Sequence, residues 1–432
     1  MKPKHIATIA FFTTALGAAA FAAAQGLPTA APESVGMSGQ RLSRISDTFK
    51  QEIDKGNLPG VVVLVARKGK LVYSDAFGFQ NKEAAKPMAK DSIFRIYSMT
   101  KPLVSVAAMM LIEDGKLELT DAVSKHLPAM KGLQVSVAKA DAEFAKVSYT
   151  LVSAQREMTV QDLLRHTAGL AYANLTQNTP VKEAYAKAGV DEDPRGLTPA
   201  EEVERMSKAP LAHEPGTVWE YSLATDMLGR VVEAASGKRL SDFLEERLFK
   251  PLAMNDTAFF VPSDKLDRLA EALPVDASTG KPNKLYDVSA APKNDSGGAG
   301  GVSTAADYLR FAQMMANGGQ LDGKRYLSRT TVELMTSDHL GTRIQAPVTP
   351  GEILLASPGY TFGLGFAVRQ AAGIAGVPGS AGEFMWGGFA GTYFWIDPKE
   401  QIVAVYMTQA PSPIRAYYRK LFKQLVYAAI VD

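Results

Sequence analysis

Residues 94–102 read Phe94-Arg95-Ile96-Tyr97-Ser98-Met99-Thr100-Lys101-Pro102, and an apolar segment follows them directly as far as Ile112. A serine just ahead of a long helix has an unpaired backbone N–H, and the positive end of the helix dipole lies beside its hydroxyl. If the helix begins near Met99, Lys101 lies about one turn beyond Ser98, and its amine can fold back onto the same face. The pattern therefore predicts contact between Ser98 and Lys101 at the start of a buried helix, which Asp114-Gly115 should end.

The four-residue pattern S-x-x-K is weak evidence by itself, because it occurs often by chance. Several other catalytic patterns are absent from the sequence. No serine has glycine both two residues before it and two residues after it, so there is no nucleophile elbow. The histidines form no H-E-x-x-H motif and no close pair, so no metal site is predicted, and His166 is interpreted as structural rather than as the base of a triad.

Composition indicates a soluble globular protein without nucleic acid as a partner. The chain has 432 residues, of which 46% are hydrophobic and 21% charged, and its formal net charge is +2. A nearly balanced charge does not favour a polyanionic partner. The chain has no cysteine, which excludes disulfides, thiol catalysis and thiolate metal sites.

The first 24 residues have the zones of a cleavable secretory signal. Lys2, Lys4 and His5 precede an apolar segment over residues 6–21, and three alanines end at Ala24. A membrane anchor is the alternative, but the apolar zone is shorter than the roughly 20 residues that a spanning helix needs. We therefore predict cleavage after Ala24, a secreted or periplasmic location, and no membrane span in the processed chain. A Pro/Ala-rich linker over residues 25–35 follows.

Strand patterns lie near both ends of the chain, and helical patterns lie in the middle. The N-terminal part predicts a helix over residues 40–54 and a hairpin of strands 61–66 and 71–77. The C-terminal part predicts strands at 362–368, 389–396 and 401–407 and a final helix at 414–430, whereas the middle has one β-like interruption between 133 and 158.

This order predicts an α/β (α+β) fold in which both termini build one antiparallel sheet flanked by helices. The expected sheet domain covers residues 36–95 and 326–432. A mostly helical domain over residues 96–325 is inserted into it, and the active site should lie at the seam.

The chain resembles the serine β-lactamase and penicillin-binding superfamily, and within it class C β-lactamases and their kin, the family VIII carboxylesterases. The resemblance covers essentially all of the chain after residue 24. It is carried by an ordered set of motifs: Tyr97-Ser98-Met99-Thr100-Lys101-Pro102, His166-Thr167-Ala168-Gly169-Leu170, Pro215-Gly216-Thr217 running into Tyr221-Ser222-Leu223, Gly297-Gly298-Ala299-Gly300-Gly301, and Trp386-Gly387-Gly388 ahead of a strand.

The resemblance implies a fold of the β-lactamase type and roles for four residues. Ser98 would be the nucleophile, Lys101 and Tyr221 would handle the proton, and the backbone N–H groups of Ser98 and Phe389 would form the oxyanion hole. A serine hydroxyl needs a base within hydrogen-bond reach, and a lysine serves as one only if its surroundings favour the free amine. Which of Lys101 and Tyr221 is the general base stays open, as does an ordinary pocket role for Tyr221.

Two positions depart from the class C pattern and bear on the substrate. Leu223 stands where those enzymes have asparagine, and Trp386-Gly387-Gly388 stands where they have Lys-Thr-Gly. The amide and the lysine that would bind a β-lactam are thus absent, whereas tryptophan offers one N–H and a large apolar face. We expect Leu223, Trp386, Gly387 and Gly388 to contact a neutral, partly apolar substrate, with the glycines allowing close approach.

The sequence therefore predicts an exported serine hydrolase, a carboxylesterase that acts on small esters through an acyl-enzyme without a metal or other cofactor. A β-lactamase or D-alanyl-D-alanine peptidase is the first alternative. A non-catalytic binding protein that has kept the fold is the second. The natural ester and the oligomeric state do not follow from the sequence.

Overall fold

The computed structural model describes residues 26–141, 146–190 and 193–432. The predicted signal over residues 1–24 lies outside them. The segment expected to be a linker is in contact with the sheet in its described part, because Leu71 donates its N–H to the carbonyl of Pro28 at 2.8 Å and Ala30 donates to Leu71 at 3.0 Å. A short 3₁₀ turn, Pro32–Val35, follows.

Helices α1 to α12 are Gly39–Asp54, Thr100–Glu113, Val123–His126, Val160–Leu164, Thr179–Ala188, Pro199–Ser207, Ala224–Ser236, Leu240–Leu244, Ala305–Ala316, Arg329–Met335, Pro350–Leu355 and Arg415–Tyr427. Further 3₁₀ turns are Tyr97–Met99, Pro128–Met130, Pro194–Gly196 and Ser263–Arg268, and a π-helical turn spans Glu245–Phe249. The predicted helices over 40–54 and 414–430 correspond to α1 and α12.

Strands β1 to β14 are Gly60–Arg67, Lys70–Asn81, Lys86–Pro87, Phe94–Arg95, Gln134–Asp141, Lys146–Ser153, Val302–Ser303, Gln320–Leu321, Lys324–Arg325, Tyr360–Phe362, Ala367–Arg369, Phe384–Gly387, Tyr393–Asp397 and Ile402–Thr408. Eight of them form the main sheet in the spatial order β10-β11-β12-β13-β14-β1-β2-β3. All neighbours in it are antiparallel.

The two ends of the chain meet at the centre of this sheet, which confirms the prediction of one antiparallel sheet built from both termini. Val61 in β1 pairs with Thr408 in β14, and the register continues to Arg67 opposite Ile402. The side chains of β1 are buried along its whole length, so its continuous Val/Leu/Ala composition fits a central strand.

Helices cover both faces of the sheet. On one face, Phe49 of α1 packs against Tyr406 of β14 at 5.4 Å between ring centroids and against Phe422 of α12 at 6.3 Å. On the other face, Tyr308 of α9 packs against Phe394 of β13 at 4.9 Å. Since α9 lies within the range expected to be the helical domain yet packs on the sheet, the domain boundaries 36–95, 326–432 and 96–325 stay a prediction.

The predicted strand at 362–368 is wrong as a single strand. The structure has β10 and β11 there, paired as a hairpin with Phe362 opposite Ala367. Gly365 adopts φ +92°, a conformation that favours glycine and reverses the chain. The prediction for 389–396 began too early, because the strand starts at Tyr393 and Gly391 turns the chain at φ +102°.

The site is positioned by contacts that the start of α2 makes with the glycine-rich loop and with α7. The start of α2 lies beside the glycine-rich loop over residues 297–301, because Arg95 in β4 pairs with Val302 in β7. α7 packs directly against α2. Within the described residues, none of the helices combines the length and the apolar character needed to cross a bilayer.

Candidate active site

Ser98 lies in a tight turn at the start of α2, as the sequence predicts. The turn Tyr97–Met99 is 3₁₀, and α2 begins at Thr100 and ends at Glu113, with Asp114 and Gly115 after it. Tyr97 adopts φ +44°, a strained conformation for a residue with a bulky side chain. Its ring is buried and its hydroxyl accepts the N–H of Tyr286 at 2.9 Å. The packing of Tyr97 therefore holds the turn that presents the Ser98 hydroxyl.

Lys101 is buried at the base of the site and has several oxygen partners. Its Nζ lies 3.4 Å from the Ser98 Oγ, 2.8 Å from the carbonyl oxygen of Gly298 and 3.1 Å from the Tyr172 hydroxyl. The residue is 1% exposed. The predicted contact between Ser98 and Lys101 is thus present, and the backbone carbonyl of Gly298 fixes the amine beside it.

Tyr221 reaches the same serine from the segment that leads into α7. Its hydroxyl donates to the Ser98 Oγ at 2.6 Å. The Lys101 Nζ lies 4.7 Å from the centroid of the Tyr221 ring. One serine oxygen therefore has both an amine and a phenol within hydrogen-bond reach, the geometry that proton transfer to and from a nucleophile requires.

His166 lies behind Tyr221 and has no contact with Ser98. Its Nδ1 lies 3.0 Å from the Ser222 hydroxyl, and its ring packs 5.1 Å from the ring of Tyr221. Complete burial, together with the charge of Lys101, lowers the pKa of His166 well below its ordinary value. The imidazole therefore stays neutral and supports the tyrosine, which agrees with its structural interpretation.

The glycine-rich loop over residues 297–301 packs tightly between α7 and the start of α2. A Cβ on Gly297 would lie 2.5 Å from the carbonyl oxygen of Thr225, and one on Gly301 would lie 2.7 Å from the Thr100 hydroxyl. Glycine is required at these positions because neighbouring atoms leave no room for a side chain. The loop serves to bring the Gly298 carbonyl to Lys101 rather than to cradle a phosphate.

The predicted oxyanion hole has two free donors. Among the described residues, the backbone N–H groups of Ser98 and Phe389 have no hydrogen-bond acceptor. The chain around Phe389 packs on the chain ahead of Ser98, because the Thr392 hydroxyl donates to the carbonyl of Ile96 at 3.3 Å. Orphaned N–H groups beside a nucleophile suit a developing oxyanion.

Trp386 is almost entirely covered. It is 1% exposed, and its ring packs 5.3 Å from the rings of both Tyr221 and Phe362. The contacts of Trp386 therefore support Tyr221 from behind, and a contact with substrate stays a prediction. Leu223, 7% exposed at the N-terminus of α7, likewise belongs to the core around the site.

Gly387 and Gly388 meet the protein's own chain. Gly387 is the last residue of strand β12 and Gly388 follows it, so neither directly precedes a strand. A Cβ on Gly388 would lie 2.3 Å from the Ile96 carbonyl oxygen and 2.2 Å from the Thr392 hydroxyl. The carbonyl of Gly388 accepts a hydrogen bond from the guanidinium of Arg419, which also donates to the carbonyl of Thr392 at 3.1 Å. The close approach that requires glycine here is thus between two segments of the protein.

Two further residues of the site, Tyr172 and Arg415, were not predicted from the sequence. Tyr172 follows the His166–Leu170 motif by two residues, so that motif could have directed attention to it. Arg415 at the start of α12 lies over the Phe389 ring at 5.3 Å, and burial lowers its pKa. In the described part of the chain, no carboxylate lies within ion-pair distance of Arg415, so it brings an uncompensated cation to the side of the predicted oxyanion hole.

No group of three or more acidic or histidine side chains that could hold a metal ion occurs in the described ranges. What the site assembles is a serine hydroxyl, an amine, a phenol and two free N–H donors. This combination can carry out nucleophilic acyl transfer through a covalent intermediate.

Comparison with known families agrees with this chemistry. The model of the family described as Beta-lactamase matches residues 45–427. The chain belongs to the Beta-lactamase family. The match extends over both parts of the sheet and everything between them, so the resemblance inferred from the motifs is confirmed for the whole fold.

Relatives of this chain include esterases. It is 31% identical to Esterase EstB from Burkholderia gladioli over 82% of this chain and 87% of that protein. It is 32% identical to an uncharacterized protein of Mycobacterium tuberculosis (strain CDC 1551 / Oshkosh) over 84% of this chain and 88% of that protein. The solved structure titled "EstCE1, a hydrolase with promiscuous acyltransferase activity" matches with a TM-score of 0.74 and 29% identity, over 90% of this chain and 99% of that one. The protein is therefore a serine hydrolase of this family with esterase relatives.

Proposed function

We propose that the protein is an exported carboxylesterase that cleaves small, largely neutral esters through an acyl-enzyme on Ser98. The observation that carries the proposal is the position of the Ser98 Oγ, 2.6 Å from the Tyr221 hydroxyl and 3.4 Å from the Lys101 Nζ. The names of Esterase EstB and EstCE1 support an ester as the substrate.

In the first half of the proposed reaction, the Ser98 Oγ attacks the ester carbonyl carbon while its proton passes to the Lys101–Tyr221 pair. The carbonyl oxygen becomes an oxyanion that accepts hydrogen bonds from the N–H groups of Ser98 and Phe389. When the tetrahedral intermediate collapses, the bond to the alcohol breaks and the pair returns the proton to the departing oxygen. Ser98 is then acylated.

In the second half, water attacks the same carbonyl carbon. The pair takes a proton from the water, the oxyanion forms again in the same place, and the Ser98 Oγ leaves and regains its proton. Microscopic reversibility assigns the same two side chains to both halves. The site thus needs no cofactor for either step.

The neutral character of the substrate rests on the residues around Tyr221. Leu223 and Trp386 place no amide or cation where β-lactam recognition would use one. Arg415 is the nearby cation that argues in the other direction, because no carboxylate among the described residues neutralises it. A substrate panel must therefore separate neutral esters from anionic ones.

The test compares kcat/KM for p-nitrophenyl butyrate, p-nitrophenyl hemisuccinate and nitrocefin. The two esters have acyl groups of similar length, and only the hemisuccinate carries a carboxylate. We expect butyrate to be preferred over both other substrates, and Ser98→Ala to lose activity on all three. A tenfold preference for the hemisuccinate would overturn the proposal that the substrate is neutral. A higher kcat/KM for nitrocefin than for either ester would favour the lactamase alternative.

Export is part of the proposal and is supported by the sequence zones of residues 1–24. Sequencing the N-terminus of the processed protein tests it, with Gln25 as the expected first residue.

A further inference from the structure

A continuous chain of hydrogen bonds leads from Lys101 to a buried carboxylate. The Lys101 Nζ donates to the carbonyl oxygen of Gly298 at 2.8 Å. The N–H of Ala299 donates to the Ser296 Oγ at 3.0 Å, and the Ser296 hydroxyl donates to the Asp226 Oδ1 at 2.6 Å. These contacts connect the amine beside Ser98 to the first turn of α7.

The links form one chain because the Gly298 carbonyl and the Ala299 N–H belong to the same planar peptide unit. Every donor points away from Lys101 and toward Asp226. Hydrogen bonds arranged in one direction polarise each other, and the effect is stronger in a buried environment. The negative charge of Asp226 therefore makes the Gly298 carbonyl a better acceptor for the lysine.

The Asp226 carboxylate accepts its hydrogen bonds from the loop that carries Gly298. It is 2% exposed, and its Oδ1 also accepts the N–H of Gly298 at 2.9 Å. In the parts of the chain that the structure describes, no cation lies within ion-pair distance of its carboxylate. A buried carboxylate without a cation is costly, and the two donors from the loop together with the N-terminal end of α7 offset that cost.

The loop is fixed at both ends, so a change at Asp226 is transmitted to the amine. At its far end, the N–H of Gly301 donates to the Thr100 hydroxyl at 2.9 Å, and that hydroxyl donates to the carbonyl of Tyr97 at 2.6 Å. At its near end, a Cβ on Gly298 would lie 2.1 Å from the Asp226 Oδ2. The Gly298 carbonyl has little freedom to turn away from Lys101.

We propose that Asp226 is a positioning residue that acts on Lys101 through Ser296 and the Gly298–Ala299 peptide. It holds the amine beside Ser98, and its negative charge reaches the Lys101–Tyr221 pair through these hydrogen bonds. The inference rests on the proposed function, since it assigns the pair to proton transfer. It concerns a residue that contacts neither Ser98 nor Lys101 directly.

Other ionisable groups also surround these hydrogen bonds and contribute to the pH dependence of activity. They come from the end of α4, from the loops before α5 and α9, and from α6, α7 and α12. The groups that face Lys101, Tyr221 or Asp226 are His166, Tyr172, Glu202, Arg230, Tyr286, Arg415 and Arg419. A comparison of variants that leave all of these unchanged isolates the effect of Asp226.

The test uses Asp226→Asn, which keeps the shape of the side chain and removes its charge. Removing a negative charge disfavours the protonated form of a lysine and of a tyrosine alike. The acid limb of the pH profile of kcat/KM should therefore move to lower pH, by about half a unit or more. We expect kcat to fall on the order of tenfold, a fraction of a general-base contribution, with KM nearly unchanged. Ser296→Ala should shift the limb in the same direction by less.

Asp307→Asn is the matched control. Asp307 is a buried carboxylate in the first turn of α9 that accepts one backbone N–H, from Asp256 at 2.7 Å, and one hydroxyl, from Thr257 at 3.0 Å. It has no contact with the site, so its substitution should lower stability without moving the pH profile.

A loss of kcat in Asp226→Asn without a shift of the acid limb would overturn the proposal, because a purely structural defect lowers activity at every pH. If Asp226→Asn does not fold, an unshifted limb in Ser296→Ala would overturn the proposal in its place. Failure of the proposed function would be recognised separately, by the absence of Ser98-dependent ester hydrolysis in the unsubstituted protein.

Discussion

At the scale of single residues, the site depends on one serine oxygen with two proton-handling neighbours. Lys101 lies three residues after Ser98 on the same helical start, and this contact follows from the sequence alone. Tyr221 is distant in the sequence, and only the resemblance to a known family indicated it. The Gly298 carbonyl could not be predicted from its side chain, because every residue carries the same backbone acceptor.

Lys101→Ala and Tyr221→Phe should each lower kcat/KM on the order of a hundredfold or more, the usual size of a general acid or base contribution. Their combination should cost less than the product of the two losses, because residues that handle one proton act as a unit. Steady-state kinetics on p-nitrophenyl butyrate measure both effects.

Tyr73→Phe is the control for Tyr221→Phe. It removes a tyrosine–serine hydrogen bond of the same length, 2.6 Å between Tyr73 and Ser46, at a place remote from the site. Activity close to the unsubstituted value is expected for it. A fully multiplicative double variant would contradict the view that Lys101 and Tyr221 handle the same proton.

At the scale of elements, helices and strands could be predicted from the sequence where the chain is regular. They could not be predicted where a glycine turns the chain. The apolar run after Ser98 correctly predicted α2 and its ends, and the apolar pattern after Gly60 predicted β1 and β2. The segment 362–368 has the composition of one strand, but Gly365 divides it, because tertiary contacts determine which of its glycines turns. The role of Gly388 could not be predicted either, because it depends on a tertiary contact with Ile96, which is distant in the sequence.

Gly388→Ala should disrupt the contact between β12 and the Ser98 turn. The added methyl group would meet the Ile96 carbonyl oxygen at 2.3 Å, so the two segments must move apart. We expect a lower melting temperature and a loss of kcat of at least tenfold, since misplacing a catalytic group by about 1 Å can cost a hundredfold.

Gly373→Ala is the corresponding control, because a Cβ at Gly373 meets no atom within 4 Å and its φ is not in the left-handed region. It should leave both quantities nearly unchanged. Unaltered activity in Gly388→Ala would show that the contact between β12 and the Ser98 turn tolerates displacement. It would also show that the position of the oxyanion donors does not depend on this contact.

At the scale of the whole molecule, helix α12 connects the site to a buried ionic cluster. Arg415 and Arg419 lie beside the site, and Lys423, one turn further on, reaches the Glu383 carboxylate at 2.5 Å. Lys423 and Glu383 are both fully buried. Burial lowers the pKa of Lys423 to about 8, although the negative charge of Glu383 opposes that change.

This shift predicts how stability depends on pH. An unfolded chain keeps a lysine protonated up to a pKa of about 10.4, whereas folded Lys423 loses its proton near pH 8. Between these values the unfolded state binds more protons, so the free energy of unfolding should rise with pH from about pH 8 to 9.5. Above that range the buried tyrosines, whose pKa values are raised by burial, oppose the rise.

Chemical denaturation at a series of pH values measures this slope. Lys423→Met should remove it, whereas Lys420→Met, on the half-buried side of the same helix, should leave it in place. An equal slope in the unsubstituted protein and in Lys423→Met would mean that the cluster keeps its lysine charged throughout this range.

The central claim is that Ser98 becomes acylated, and mass spectrometry of the protein treated with a fluorophosphonate tests it most directly. We predict a single addition to the intact protein, located by digestion in the peptide that contains Ser98, and no addition in Ser98→Ala. Prior incubation with p-nitrophenyl butyrate should slow the labelling, because both reagents compete for the same hydroxyl. Label on another residue, or ester hydrolysis that persists in Ser98→Ala, would contradict the account.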